Sequence, residues 1–142
     1  MDILTLDVET TMNATEKMGK AHPMFPENKV VAVGFKPSQR TSATLYYTES
    51  FGVSSSIVDT YEVVAGCNLS FDLCYLYRNP DSKSILQKTR LWDIQLAEYL
   101  LSGQQSKWPS LDEMSVKYGL SVKDSKVTEY FDKGMGAELV PK

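Results

Sequence analysis

Histidine, cysteine and excess positive charge are all scarce in this 142-residue chain, and each shortage removes a class of function. One histidine, His22, lies far in sequence from the two cysteines, Cys67 and Cys74. Together they fall short of the four ligands of a structural zinc site, and two cysteines make no disulfide framework. They read as reduced, buried thiols of an intracellular protein. A formal net charge of −3, with 23% charged residues, gives no electrostatic drive to coat DNA in the manner of a basic binding protein. No apolar stretch approaches a membrane span, and Met1-Asp2-Ile3-Leu4 lacks the basic start and long apolar run of a signal peptide. The expected location is therefore the cytoplasm, without a membrane partner.

What is present suits one folded domain over 1–142. The apolar fraction of 42%, with two Trp, eight Tyr and five Phe, is enough to build a core. Residues 2–8 read as a short, mostly buried strand, followed by a polar loop from Thr10 to Asn28. Lys29–Phe35, with Val30, Val31, Ala32 and Val33 in a row, is a strong buried strand, and Ala43–Thr48 gives a third. These runs, punctuated by turn residues, predict an opening antiparallel meander. Ser54–Tyr61 reads as a short helix, Glu62–Gly66 as a fourth strand and Asn68–Arg78 as an amphipathic helix with Leu69, Leu73 and Leu76 on one side. A strand over Arg90–Trp92 leads to Asp93, an N-cap for a helix over Ile94–Ser102 that Gly103 ends. Ser110 and Glu113 form a capping box for a last helix ending at Gly119. Strands interleaved with helices in this order predict a mixed sheet with helices on its faces.

Chemistry centres on Asp7-Val8-Glu9. Positions i and i+2 of a strand share a face, so the two carboxylates converge if the strand continues through Glu9. Close carboxylates repel unless a cation neutralises them, and hard oxygen donors suit Mg²⁺ or Mn²⁺. Taken alone, an Asp-x-Glu is more often a solvated strand end. A second element, Asn68-Leu69-Ser70-Phe71-Asp72, follows the fourth strand and sets Asn68 and Asp72 one helical turn apart. Each has a plain alternative: Asn68 as a helix cap, Asp72 as an exposed helical acid.

The set is more informative than its parts. Leu6-Asp7-Val8-Glu9-Thr10 resembles motif I of the DEDD-type 3′–5′ exonucleases, and Asn68–Asp72 resembles their motif II. Trp92-Asp93-Ile94-Gln95-Leu96-Ala97-Glu98-Tyr99-Leu100-Leu101 is similar to the helix that follows motif II in the proofreading domains of family A, bacteriophage-like DNA polymerases, and Ser110–Glu113 to the next helix start. The resemblance runs from about residue 2 to about residue 120 and implies an α/β, ribonuclease H-like mixed five-stranded sheet flanked by helices. It also implies two-metal-ion hydrolysis at single-stranded DNA 3′ ends, in host cytoplasm if the chain is phage-encoded. In that chemistry Asp7 bridges two Mg²⁺ or Mn²⁺ ions, Glu9 binds the first and Asp72 holds the second. Thr10, Asn68 and Phe71 lie beside the terminal nucleotide, with a core position equally open for Phe71.

The pattern departs from the family in one respect. A fourth carboxylate, from a Tyr-x-x-x-Asp or His-x-x-x-Asp on a later helix, has no convincing copy. Tyr77–Asp81 has the spacing, but Pro80 would break the helix it needs, while Tyr130 precedes Gly134 and His22 precedes Pro26. Three explanations stand. The chain is one piece of a split or truncated polymerase whose remaining polypeptide carries motif III; or it is a catalytically inactive exonuclease-fold module that binds nucleic acid or a replication partner; or another acid substitutes, among Asp93, Asp112, Asp124, Glu129 and Asp132. The first is favoured.

Overall fold

The structure, a computed structural model, describes residues 1–47, 60–78, 89–105 and 107–122. Its elements are β1 (Ile3–Thr10), β2 (Val30–Pro37), β3 (Thr44–Tyr47), β4 (Val63–Gly66), α1 (Leu69–Leu76), β5 (Arg90–Asp93), α2 (Ile94–Leu101) and α3 (Leu111–Lys117). The five strands form one sheet in the order β3-β2-β1-β4-β5. β1–β2 and β2–β3 pair antiparallel, whereas β1–β4 and β4–β5 pair parallel. This mixed sheet with flanking helices is the ribonuclease H-like α/β arrangement. β4 and β5 run parallel because α1 lies between them as the crossover that a parallel pair requires.

Alternation along β1 divides its residues between two faces. Leu4, Leu6, Val8 and Thr10 are buried, while Thr5 and Asp7 are exposed and Ile3 and Glu9 half-buried. The register places Leu6 opposite Phe35 and Val8 opposite Val33, and these join Val64 of β4 and Leu69, Tyr75 and Leu76 of α1 in the core. Each aliphatic side chain fully buried here contributes about 1.5–3 kcal/mol. The helix α1 therefore covers the face of β1 that Asp7 and Glu9 do not occupy.

Gly66 marks where α1 must approach the sheet closely. A Cβ built on it would lie 2.9 Å from Leu69 Cδ1 and 3.0 Å from the Leu6 carbonyl oxygen, so a side chain there would displace the end of Leu69 and crowd the β1 backbone. The chain then turns through Asn68, which adopts the left-handed conformation (φ 54°), and enters α1. Among the described residues no helix is long and apolar enough to cross a membrane.

Element boundaries differ from the expected ones by a few residues, chiefly because β1 extends through Glu9 to Thr10, with a register shift between these two. The helix expected over Ser54–Tyr61 falls outside the described residues except for Thr60 and Tyr61, which are not helical. Gly103 (φ +73°) and Gly119 (φ +68°) end α2 and α3 in left-handed conformations, as glycine does after a helix. The capping box closes as expected, Glu113 N–H donating to Ser110 Oγ at 3.2 Å and Ser110 N–H to Glu113 Oε2 at 2.7 Å. Cys67 and Cys74 are both free thiols, but the expectation of burial fails: Cys67 is half-buried and Cys74 exposed. The buried side of α1 runs through Leu69, Asp72, Tyr75 and Leu76 and leaves Cys74 on the outer side.

Asp93 does more than the expected capping of its own helix. Its Oδ1 accepts from Gln95 N–H (2.9 Å) and Leu96 N–H (3.3 Å) at the start of α2. The same carboxylate accepts from Asn68 N–H (3.1 Å) and, through Oδ2, from Leu69 N–H (2.9 Å) at the start of α1. One acid thus satisfies orphan amides of two helices and favours both N-terminal dipoles. Asp93→Ala is expected to destabilise the fold by about 2–4 kcal/mol, against roughly 1 kcal/mol for Ser110→Ala. Urea midpoints of the two variants test this; equal losses would mean that the second helix does not depend on Asp93.

Candidate active site

The acids gather where the parallel strands end. β4 pairs with β1 only as far as Thr5–Ala65 and turns away after Gly66, leaving the β1 edge beyond Leu6 without a strand neighbour. The next amide on that side, Val8 N–H, donates instead to Asp72 Oδ1 at 3.0 Å. The carboxylate of α1 stands in for a β4 carbonyl, and this fixes a buried acid (3% exposed) against the central strand.

Burial, and next the negative charge of Asp7, raise the Asp72 pKa from 3.8 to about 7, against the opposing pull of its backbone hydrogen bonds. The Cys67 thiol is raised as well, first by burial and then by the charges of Asp93, Asp7 and Asp72. Asp7, Asp72 and Asp93 thus bring negative charge together near the end of β1, and carboxylate oxygens are of the hard type that divalent Mg²⁺ or Mn²⁺ takes. Glu9 lies on the Asp7 face of β1, one residue pair further along, opposite Ala32. The expectation that strand geometry carries both carboxylates to one face holds through this position. Among the described residues, however, no group of three or more His, Cys, Asp or Glu side chains is arranged to hold a metal ion. What is brought together is a pair of acids, Asp7 close enough to raise the pKa of Asp72, with Glu9 on the adjoining stretch of strand.

The other expected site residues are placed variously. Thr10 is 7% exposed and belongs to the buried side of β1, not to the face of Asp7 and Glu9. Phe71 is half-buried, packs against the core and meets Tyr75 edge-on with ring centroids 5.3 Å apart, which answers to its core alternative. Asn68 occupies the N-cap position of α1 and is exposed, but its side chain does not cap the helix: Oδ1 accepts from Ser70 Oγ at 3.3 Å, and the amides go to Asp93. Asp93 accepts backbone amides at the starts of α1 and α2. Asp112 is exposed in the first turn of α3, while Asp124, Glu129 and Asp132 lie outside the described residues, as do Asn79–Asp81.

One organising residue gave no sequence signal beyond its type. Asn28 is fully buried, and its Oδ1 accepts from Asn13 N–H at 2.7 Å while Nδ2 donates to the Lys20 and His22 carbonyls at 2.9 and 3.0 Å. It ties the loop that follows Glu9 into a fixed shape, and α1 holds that loop from outside. Tyr75 Oη donates to the Ala21 carbonyl (2.8 Å), and Arg78 Nη1 donates to that of Asn28 (2.7 Å) with its guanidinium 5.7 Å from the Tyr75 ring centroid. A long-range polar hub of this kind is invisible to local periodicity.

No family model matches the chain, and no curated protein matches it. What is shown is thus the class, an α/β domain on a ribonuclease H-like sheet, with acids at the end of its central strand.

The raised pKa of Asp72 fixes the sign of a pH effect. The folded state binds its proton more tightly than the unfolded chain does, so the contribution of Asp72 to stability is full below about pH 4 and is lost as pH rises through about 7. Asp72→Asn keeps an oxygen for Val8 N–H and removes the charge. Without divalent ions, the variant is expected to match the wild type near pH 4 and to be more stable at pH 8 by roughly 1–3 kcal/mol. Denaturation curves at the two values check this; a constant difference across the range would contradict it.

Proposed function

We propose that the chain is the acid-bearing part of a two-metal-ion 3′–5′ exonuclease that acts on single-stranded DNA ends, within a DNA polymerase of the bacteriophage-like family A type. The observation that carries this reading is the Asp72 carboxylate held on Val8 N–H beside Asp7, on the central strand of a ribonuclease H-like sheet. The order and spacing of Asp7, Glu9, Asn68 and Asp72 agree with it. Structural needs alone do not call for two acids in repulsion at a strand end; a cation that neutralises them relieves the strain. A bound Mg²⁺ or Mn²⁺ pair supplies an activated water and stabilises the leaving 3′-oxygen. The chain's own share is to present Asp7, Glu9 and Asp72 as ligands and to hold Asp72 by the β1 amide. The shape of the loop after Glu9 is kept by Asn28, Tyr75 and Arg78. The remaining carboxylate is assigned to a polypeptide segment beyond the described residues, in the same chain or in a partner.

A second reading is a catalytically inactive module of the same fold, binding nucleic acid or a replication partner. It is favoured by one observation, that no group of three potential ligands is assembled among the described residues.

The deciding experiment joins ion binding to cleavage. Mn²⁺ should raise the melting temperature of the chain, and Asp7→Ala and Asp72→Ala should each abolish that rise. Mononucleotide release from a single-stranded oligodeoxynucleotide in Mn²⁺, measured with any polypeptide that supplies the remaining carboxylate, should fall by at least about a hundredfold in Asp7→Ala. That expectation equates a lost metal ligand with several kcal/mol of transition-state stabilisation. Ion binding without cleavage selects the second reading, and no ion binding at all discards both metal roles.

A further inference from the structure

The sheet face opposite α1 carries more than its acids. The ladders align Lys36 of β2, Thr5 of β1, Ala65 of β4 and Trp92 of β5 in one row across four strands. Residues directly opposite one another in a sheet project to the same face, so this row shares the face of Asp7. Lys36 and Thr5 are exposed, Ala65 is half-buried and Trp92 is 57% exposed. The row behind it runs through Ile3 and Val63 to Arg90, which is exposed; the row ahead pairs Asp7 with Gly34. The small Thr5 and Ala65 therefore floor a shallow trough between a lysine and an indole, and Gly34 adjoins it beside Asp7. Strand spacing puts its walls roughly 14 Å apart between Cα atoms, with the Asp7 row about 7 Å further along β1.

We propose that this trough binds single-stranded polynucleotide, with Trp92 as a base-stacking platform and Lys36 and Arg90 as phosphate contacts. The proposal rests on the hydrolytic reading of Asp7, Glu9 and Asp72 only for the direction of the strand, whose 3′ end would lie toward those acids. β1 is the central strand, yet its outward Thr5 and Asp7 are exposed, so this face is open at the middle of the sheet. An indole offers a broad flat surface that takes any base without reading sequence. Cations stand on both sides of the floor, where phosphates would pass, and no carboxylate shares the row of Lys36 and Trp92. Phe71, the aromatic expected in this role, has its ring against Tyr75.

The test uses the full chain in chelator, so that binding is read without cleavage. A short fluorescein-labelled oligodeoxythymidylate is titrated and followed by anisotropy. Trp92→Ala should weaken binding by about tenfold or more, the range set by loss of one base–aromatic stack, while Trp92→Phe keeps most of it. Lys36→Gln should lower the salt dependence by about one phosphate contact. In a Trp108→Phe background, where Trp92 is the remaining indole, the unlabelled oligonucleotide should quench its emission; this arm stands even if Trp92→Ala fails to fold. Absence of binding, unchanged affinity in a folded Trp92→Ala, or Trp92 emission that responds to protein concentration and not to oligonucleotide each overturns the trough. The last of these would assign the face to a second copy of the chain. Trp92-dependent binding without any Mn²⁺-dependent cleavage leaves the trough in place and removes the hydrolytic reading, whereas cleavage with Trp92-independent binding does the reverse.

Discussion

The departure of β4 from β1 after Gly66 is the constraint on which the site depends. A parallel pair that separates leaves amides without partners, and a buried amide left unpaired costs on the order of 1–3 kcal/mol. Here the vacancy is filled by Asp72, whose carboxylate takes the Val8 N–H at 3.0 Å. A neutral acceptor would satisfy the amide as well, and an exposed acid would titrate normally. The carboxylate is instead held in a buried place next to Asp7, where its charge is unwelcome unless a cation arrives.

Two further devices keep α1 in the position this bond requires. At its N-terminal end Asp93 ties the first amides of α1 to those of α2, so that β5, α2 and α1 share one anchor. Toward its C-terminal end Tyr75 and Arg78 grip carbonyls of the loop after β1, a loop whose own shape depends on the buried Asn28. Both ends of α1 are thus fixed by polar bonds that span the sheet, and Leu69, Tyr75 and Leu76 supply the apolar contact between them. The arrangement backs Asp72 from both ends of its helix and so holds its carboxylate on the Val8 amide.

Several parts of this were legible in residue order because they are local. Alternation in Leu4-Thr5-Leu6-Asp7-Val8 announces a strand with one buried face, and it carries Asp7 and Glu9 to the other face without reference to anything distant. Ser110 with Glu113, and Gly103 and Gly119 at helix ends, are equally local, since a capping box or a left-handed residue needs only its immediate neighbours. Less visible were the roles that depend on what packs where. Thr10 continues the motif in sequence but falls on the buried side, and Phe71 meets Tyr75, because the face of α1 that turns inward is set by the sheet beneath it.

Residue order alone carries the α/β class, the alternation of strands and helices, the caps and the two acids that share one face of β1. These follow from backbone alternation and from bonds between residues three or four apart. It takes the folded sheet to bury Asp72 on the Val8 amide near Asp7, to set Asp93 at the starts of two helices, and to bring Lys36, Thr5, Ala65 and Trp92 into one row. Each depends on the register between strands distant in sequence. Register is set by where β4 stops and how closely Gly66 lets α1 approach, a balance of packing over the whole sheet that no local window contains.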